Sequence, residues 1–213
     1  LVRSRGLGDV YKRQIPSGAL HLIRKSEKCA CAGDFDYLCR ENACGRIVMD
    51  IREIIDRIYR MPESSAVRLT ACMSSLSRPR GYCVLEAGRV EPNLFFIGRG
   101  IARACISADG KKVTFWIGAE GSALVSLKSY VDDEPGYETV ELMEDSLLYV
   151  LKRSDLERFL AEDIHIANWA RRFAESEFLR TEQKLIPMLF LPAARRYETL
   201  LRERPELLRR VPL

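Results

Sequence analysis

Apolar residues between Met49 and Tyr59 recur every three or four positions, the spacing that places them on one face of an α-helix. The isoleucines of this segment are Ile51, Ile54, Ile55 and Ile58. A second short helix is predicted from Ala66 up to Arg78, just before Pro79, with apolar positions at Val67, Leu69, Met73 and Leu76. The patterned part of the chain therefore begins with two helices.

From Tyr82 to Leu151 the pattern changes to short apolar runs separated by turn residues, which is typical of a β-sandwich or barrel. The predicted strands are residues 82–85, 93–97, 101–106, 113–117, 139–142 and 147–151. Gly98-Arg-Gly100 is predicted as a turn, and Asp109-Gly110 between two apolar runs is a strong hairpin signal. The sequence therefore predicts an α+β fold with an antiparallel, jelly-roll-like β-roll.

Helical patterning returns after the last strand. Ser154 and Glu157 stand three positions apart and predict a capping box at the start of a helix. A long helix follows from about Ile164 to Leu189, and another over Ala193–Arg204, before Pro205. Pro187 and Pro192 are expected to kink or end the long helix, because proline lacks the backbone donor and clashes with the preceding turn.

The long helix carries an apolar stripe, mostly in three- and four-residue steps: Ala167, Ala170, Ala174, Phe178, Leu185 and Met188. A stripe with this spacing more often packs within its own chain, but on a helix this long it can also pair with a second copy of itself. We therefore expect a homodimer whose interface includes Ala170, Ala174, Phe178, Leu185 and Met188.

Hydrophobic residues make up 47% of the chain and charged residues 30%, an ordinary soluble composition. Residues 1–48 hold nine basic and five acidic residues, so they carry the whole net charge of +4, and residues 49–213 hold 25 of each sign. The weak patterning of residues 1–48 predicts a disordered or artefactual extension, with Met49 as the natural start. Without an apolar run long enough for a bilayer, a cytoplasmic protein with no membrane contact is expected.

From Met49 to Leu213 the order of helices, β-roll and long helix resembles the Crp/Fnr transcription regulators. The stretches that carry the resemblance are 93–103, 109–116, 141–146, 195–201 and 205–212. It implies a cyclic-nucleotide-binding type of sensor roll over 49–163, a dimerisation helix over 164–191 and a linker helix over 192–213. In this family a winged helix-turn-helix comes next, so DNA binding is expected from a domain missing here.

The resemblance also places an effector pocket. In cyclic-nucleotide binders of this family, a Gly-Glu pair and a later Arg-Ser/Thr-Ala hold the ribose and the cyclic phosphate. Counting from the matching Gly121, these positions are Val125, Ser126, Gly136, Tyr137 and Glu138. The phosphate arginine is therefore absent. Residues 132–145 contain seven acidic residues and no Lys or Arg, a surround that opposes an anion. We expect an unidentified small effector, and not cyclic AMP.

Two alternatives to an effector-binding regulator remain open. Cys29, Cys31, Cys39 and Cys44, with Cys105 as a further ligand, could hold an iron–sulfur cluster, although inert thiols are the commoner case. A stand-alone ligand- or protein-binding module without DNA binding is the other alternative. No zinc spacing, phosphate loop or nucleophile motif occurs, so no enzyme, metal or cofactor is expected. The arginines at 195, 196, 202, 204, 209 and 210 fit a solvated helix face or a DNA-backbone contact.

Overall fold

A computed structural model describes residues 40–41, 47–108 and 110–211. The helices are α1 (Ile51–Ile58), α2 (Glu63–Ala71), α3 (Leu127–Asp132), α4 (Arg153–Glu162), α5 (Ile164–Phe190), α6 (Ala193–Glu203) and α7 (Pro205–Arg210). The strands are β1 (Arg40–Glu41), β2 (Ile47–Val48), β3 (Ser74–Arg78), β4 (Cys83–Leu85), β5 (Leu94–Arg99), β6 (Ala102–Ala108), β7 (Lys111–Gly118), β8 (Ala123–Leu124), β9 (Thr139–Leu142) and β10 (Ser146–Leu151). The described residues up to Gln183 form one compact unit, and those from Lys184 to Val211 belong to another.

Two four-stranded sheets form the β-roll, in the orders β3-β10-β5-β8 and β4-β9-β6-β7. Every strand pair in them is antiparallel. The longest ladder is the β6–β7 hairpin, in which Ala108 pairs with Lys111 across the predicted two-residue turn. Gly110 has φ +73° there, a backbone conformation that glycine adopts without steric cost. The predicted α+β fold with an antiparallel β-roll is confirmed.

Strand β5 is buried on both faces. Leu94 and Phe96 point into a cluster shared with the helices, whereas Phe95 and Ile97 point into a second cluster. The second cluster draws apolar side chains from both sheets, among them Leu85, Leu124, Leu142 and Leu148. Because alternate residues of a strand face opposite sides, this double burial explains why β5 reads as a continuous apolar run.

The helices pack on the outer face of the β5 sheet. Residues of α1, α2, α4 and α5 share one core cluster with that sheet, including Ile55, Leu69, Phe159 and Trp169. Trp169 is fully buried, and its indole N–H donates to the carbonyl of Ile55 at 3.1 Å. Its ring lies 6.2 Å from Phe96 and stacks on Phe173 at 5.9 Å. The first turns of α5 are thereby fixed to the roll.

Two helix starts are capped by side chains from the surrounding structure. The Asp163 carboxylate accepts from the backbone N–H of His165 at 3.0 Å at the start of α5, and also from the Ser65 hydroxyl at 3.1 Å. For α4, the N-cap residue is Lys152 and not the predicted Ser154, which lies inside the helix. The Asn93 side chain accepts from the Arg153 N–H at 3.1 Å, so a residue distant in sequence satisfies the helix start.

Several other sequence predictions were wrong in detail. The second helix spans Glu63–Ala71, and Ser74–Arg78 is strand β3 because it pairs with β10. Gly98 and Arg99 belong to β5, and only Gly100, with φ +119°, is in a turn conformation. Helix α5 continues through Pro187, whereas its end at Phe190, just before Pro192, agrees with the prediction for that proline. The short helix α3 was not predicted, and the helical segment predicted over 192–213 contains two helices, α6 and α7. The assignment of residues 1–48 to an extension stays a prediction, and strands β1 and β2 lie within it.

The segment from Lys184 to Val211 contains the end of α5, then α6 and α7. The Arg196 guanidinium on α6 donates to the carbonyls of Leu191 at 3.1 Å and Met188 at 3.4 Å. These are carbonyls at the end of a helix, which lack partners within the helix itself. Pro205 is the first residue of α7, a position where the missing N–H costs nothing.

Replacing Trp169 by alanine should lower the free energy of unfolding by about 3–5 kcal/mol, because a fully buried ring and its hydrogen bond are lost together. Val67→Ala is the control, since Val67 is an exposed residue of α2, and it should change stability by less than about 0.5 kcal/mol. Urea titrations followed by circular dichroism at one protein concentration make the comparison. Equal stability of the two variants would contradict the anchoring role of Trp169.

Candidate functional site

The predicted pocket residues lie between the end of β7 and the start of β9. Gly121 occupies the turn after β7 with φ +82°, and its N–H donates to the Ile97 carbonyl at 2.8 Å. A Cβ on Gly121 would lie 3.0 Å from the sulfur of Met49, so this glycine also permits a close approach. Val125 follows β8 and packs, half-buried, against the core cluster of the helices. These two residues are structural parts of the roll.

Three other predicted residues meet at one point. Ser126 is the N-cap residue of α3, and Gly136 and Glu138 lie on the segment that leads into β9. A Cβ added to Gly136 would lie 2.4 Å from Ser126 Oγ and 3.5 Å from Glu138 Oε1. The backbone of Gly136 also bonds in both directions to the Glu86–Arg89 turn, at 2.8 Å to Gly88 and 3.1 Å to Arg89. The structure therefore brings Ser126, Gly136 and Glu138 together.

The side chains of Ser126 and Glu138 are buried without hydrogen-bond partners. Their residues are 2% and 6% exposed. Within the described part of the chain, neither Ser126 Oγ nor Glu138 Oε2 has a partner. An unsatisfied buried polar group costs about 1–3 kcal/mol, and more when it is charged. Two of them beside each other are therefore unusual.

The sixth predicted residue, Tyr137, lies on the surface and not with Ser126, Gly136 and Glu138. It is 65% exposed, although both its sequence neighbours are buried. Leu127 and Val131, one turn apart on α3, are also exposed. The structure thus places five of the six predicted residues in the body of the roll and leaves Tyr137 on its surface.

Basic side chains near the site are bound to other carboxylates. Lys128 pairs with Glu134 at 2.8 Å, and this contact lowers the pKa of the Glu134 carboxyl and raises the pKa of Lys128. Arg153 pairs with Asp133 and with Glu157, the latter at 2.6 Å. On the turn that borders Gly136, Arg89 pairs with Glu86 at 3.0 Å. None of these cations reaches Glu138.

The sequence did not indicate that Arg153 pairs with the acidic segment 132–145, because Arg153 lies outside that segment in the chain. Its guanidinium lies 5.5 Å from the ring centre of Tyr130 on α3. Burial and the charge of Glu157 raise the pKa of the Tyr130 hydroxyl, and Arg153 opposes them. Residues 132–145 therefore appear purely acidic in sequence, although Asp133 and Glu134 are neutralised by neighbours in space.

The predicted dimer residues divide into two groups. Ala170 is half-buried and packs against the core cluster of its own roll. Ala174, Phe178, Leu185 and Met188 are exposed, and Phe178 is 69% exposed. Other exposed apolar residues of α5 are Ile164, Leu179, Ile186, Leu189 and Phe190.

The remaining sequence hypotheses concern metals and membranes. Cys29, Cys31, Cys39 and Cys44 lie outside the described residues, and Cys105 is buried on β6. Among the residues that the structure describes, no group of three His, Cys, Asp or Glu side chains could hold a metal ion. No helix in the described part of the chain is long and apolar enough to cross a membrane.

Comparison with solved structures shows the same fold in several proteins. A cyclic nucleotide-binding domain from Methylobacillus flagellatus matches with a TM-score of 0.59 and 19% identity, over 65% of this chain and 80% of that one. The catabolite activator protein of Thermus thermophilus matches with a TM-score of 0.53 and 15% identity, over 62% of each chain. The c-di-GMP-responsive global regulator CLP of Xanthomonas campestris matches with a TM-score of 0.55 and 13% identity, over 68% of this chain and 74% of that one.

A search of curated proteins finds no match. The scan against protein families finds one for residues 76–163, which match the model of the cyclic nucleotide-binding domain. This range begins in β3 and ends between α4 and α5, so it covers the two sheets and the site at Gly136. Residues 76–163 therefore match the cyclic nucleotide-binding domain in sequence, and the roll shares its fold with a solved domain of that description.

Proposed function

We propose that this chain is the effector-binding and dimerisation part of a Crp/Fnr-type transcription regulator. The observation that carries the proposal is the long helix α5, which begins packed on the roll and continues with exposed apolar side chains. Two of the similar folds are named as a catabolite activator protein and a global regulator, which supports a regulatory role. A signal would pass from the roll to α5 if the effector favours one arrangement of the helix pair.

The effector in this proposal is not a cyclic nucleotide. A cyclic phosphate needs an arginine fork or clustered N–H donors, and the family's arginine position is Gly136 here. The nearby cations Lys128, Arg89 and Arg153 are each paired with a carboxylate. An anion placed at Gly136 would instead meet the buried carboxyl group of Glu138.

Dimerisation is supported by the exposed stripe on α5. Phe178, Leu185 and Met188 lie outside the core clusters of the described chain. A two-fold partner offers the same stripe in return, which is how closed homodimers bury such surfaces. The stripe and the roll are joined by one continuous helix, so a change at the roll can alter the dimer.

DNA reading is assigned to a domain outside residues 1–213. No strand follows Leu151 among the described residues, so a winged helix-turn-helix is not one of their elements. The arginines of α6 are partly occupied: Arg195 pairs with Glu198 at 3.0 Å, and Arg196 binds carbonyls at the end of α5. These residues can contact a phosphate backbone, but such contacts carry no sequence information.

Calorimetry with cyclic AMP and with cyclic GMP should show no binding up to about 0.5 mM, because the arginine–phosphate pair is missing. Circular dichroism on the same sample confirms that the protein is folded. A micromolar dissociation constant for either nucleotide would contradict the proposed exclusion of cyclic nucleotides.

Phe178→Asp and Leu185→Asp should each convert the dimer to a monomer at about 20 μM, because a charge in an apolar seam loses several kcal/mol of hydration. Leu179→Asp is the matched control, since Leu179 is also exposed but lies about 100° around the helix from Phe178. Sedimentation velocity distinguishes monomer from dimer. A monomeric wild type, or variants that stay dimeric, would show that the stripe does not hold two chains together.

Residues 1–213 should bind duplex DNA weakly and without sequence preference. Fluorescence anisotropy with two unrelated duplexes should give equal affinities that fall steeply as salt rises, because the contacts are to phosphates. Replacing Arg195 by alanine should reduce the salt slope by about one. Strong preference for one duplex would contradict the assignment of base reading to another domain.

A further inference from the structure

We propose that Ser126 and Glu138 form a recognition site for a small organic cation, a primary ammonium or a guanidinium. We call this pair the Ser126–Glu138 site. The proposal rests on the proposed function, because it names the chemical class of the effector for the same pocket. The juxtaposition at Gly136 carries it, since the hydroxyl oxygen of one residue and the carboxyl of the other border the same point.

Two buried oxygens of the Ser126–Glu138 site lack hydrogen-bond donors among the described residues. Ser126 Oγ and Glu138 Oε2 are buried oxygens without partners within the described chain. An ionised carboxylate only accepts hydrogen bonds, and a hydroxyl accepts as well as donates. Both oxygens can therefore be satisfied by one group that brings several N–H donors, as an ammonium or a guanidinium does.

The charge of the Glu138 carboxylate is not balanced by an ion pair with a described residue. The basic side chains on α3, on the Glu86–Arg89 turn and at the start of α4 are bound to other carboxylates: Lys128 to Glu134, Arg89 to Glu86, and Arg153 to Asp133 and Glu157. On the neighbouring strand, Arg103 pairs with Glu141 at 2.9 Å. Glu138 thus has no ion pair among the described residues, and a buried carboxylate without one favours a ligand of positive charge.

The donor set selects an organic cation over a metal ion. Ca²⁺ takes six to eight oxygen ligands, and Mg²⁺ takes six in near-octahedral geometry. The site offers one hydroxyl and one carboxylate, and the described residues contain no cluster that could hold a metal. Gly136 approaches Ser126 so closely that a Cβ there would lie 2.4 Å from Ser126 Oγ, and it would lie 3.5 Å from Glu138 Oε1.

Isothermal titration calorimetry at pH 7 with agmatine, ethanolamine and spermidine, each alone, tests the site. At least one of them should bind the wild type with a dissociation constant below about 1 mM. Glu138→Gln keeps the shape and removes the charge, and should weaken that binding at least tenfold. Asp132→Asn is the matched control, because Asp132 is an exposed acidic residue of the same region that forms no salt bridge with a described residue, and this variant should bind as the wild type does.

Gly136→Ala supplies a second test that leaves all charges in place. Its Cβ would lie 2.4 Å from Ser126 Oγ, so the hydroxyl must turn away, and the methyl group would also lie 3.5 Å from Glu138 Oε1. Amine binding should fall at least tenfold. If Glu138→Gln does not fold, as judged by circular dichroism, Gly136→Ala and Ser126→Ala decide the question.

No binding of any of the three amines to the wild type at 1 mM would overturn the proposal, and so would equal binding by Glu138→Gln. An infrared difference spectrum between wild type and Glu138→Gln gives an independent reading, since a protonated carboxyl in the presence of the bound amine would also overturn it. Failure here is distinct from failure of the proposed regulator. A dimeric wild type that binds neither amines nor cyclic AMP leaves the regulator intact and removes only the cation site.

Discussion

The packing of Trp169 against Phe96 joins helix α5 to the β-roll. Trp169 belongs to α5 and Phe96 to the central strand β5, while the indole N–H bonds to the carbonyl of Ile55 on α1. Three elements that are distant in sequence therefore meet at one buried ring. Because protein interiors are close-packed, a shift of any one of these elements displaces the other two. The direction in which α5 leaves the roll depends on this contact.

Arg153 also joins several elements, because its side chain and its backbone contact residues of three different segments around α3. Arg153 at the start of α4 reaches Asp133 at the end of α3, and it also lies beside the ring of Tyr130. Its own N–H is held by Asn93, at the beginning of β5. The position of α3 is thus linked to α4 by one side chain, and Asp163 then links the start of α5 to α2 through Ser65. Glu138 stands outside this set of ion pairs, and among the described residues its Oε2 atom is buried without a hydrogen-bond partner.

The fold could be predicted where the local pattern decides the structure. The isoleucine spacing of α1 and the Asp109-Gly110 turn were sufficient for those elements. The prediction was wrong where a distant partner decides: Ser74–Arg78 becomes a strand only because β10 pairs with it, and Asn93 performs the capping assigned to Ser154. At the site, the family positions led to Ser126, Gly136 and Glu138. The sequence pattern could not show that these residues meet at Gly136. It also could not show that the nearby cations are paired with other carboxylates, because both facts depend on three-dimensional contacts.

The sheet order also constrains how the chain folds as it is synthesised. Strands β3 and β5 lie on either side of β10, which is the last strand of the roll to leave the ribosome. Until residue 151 has emerged, β3 has no partner and β5 is paired only along β8. The apolar run of β5 is exposed during that interval, and pairings between distant segments form slowly. Completion of this sheet therefore requires β10 to insert between β3 and β5, which closes the facing edges of both strands at once.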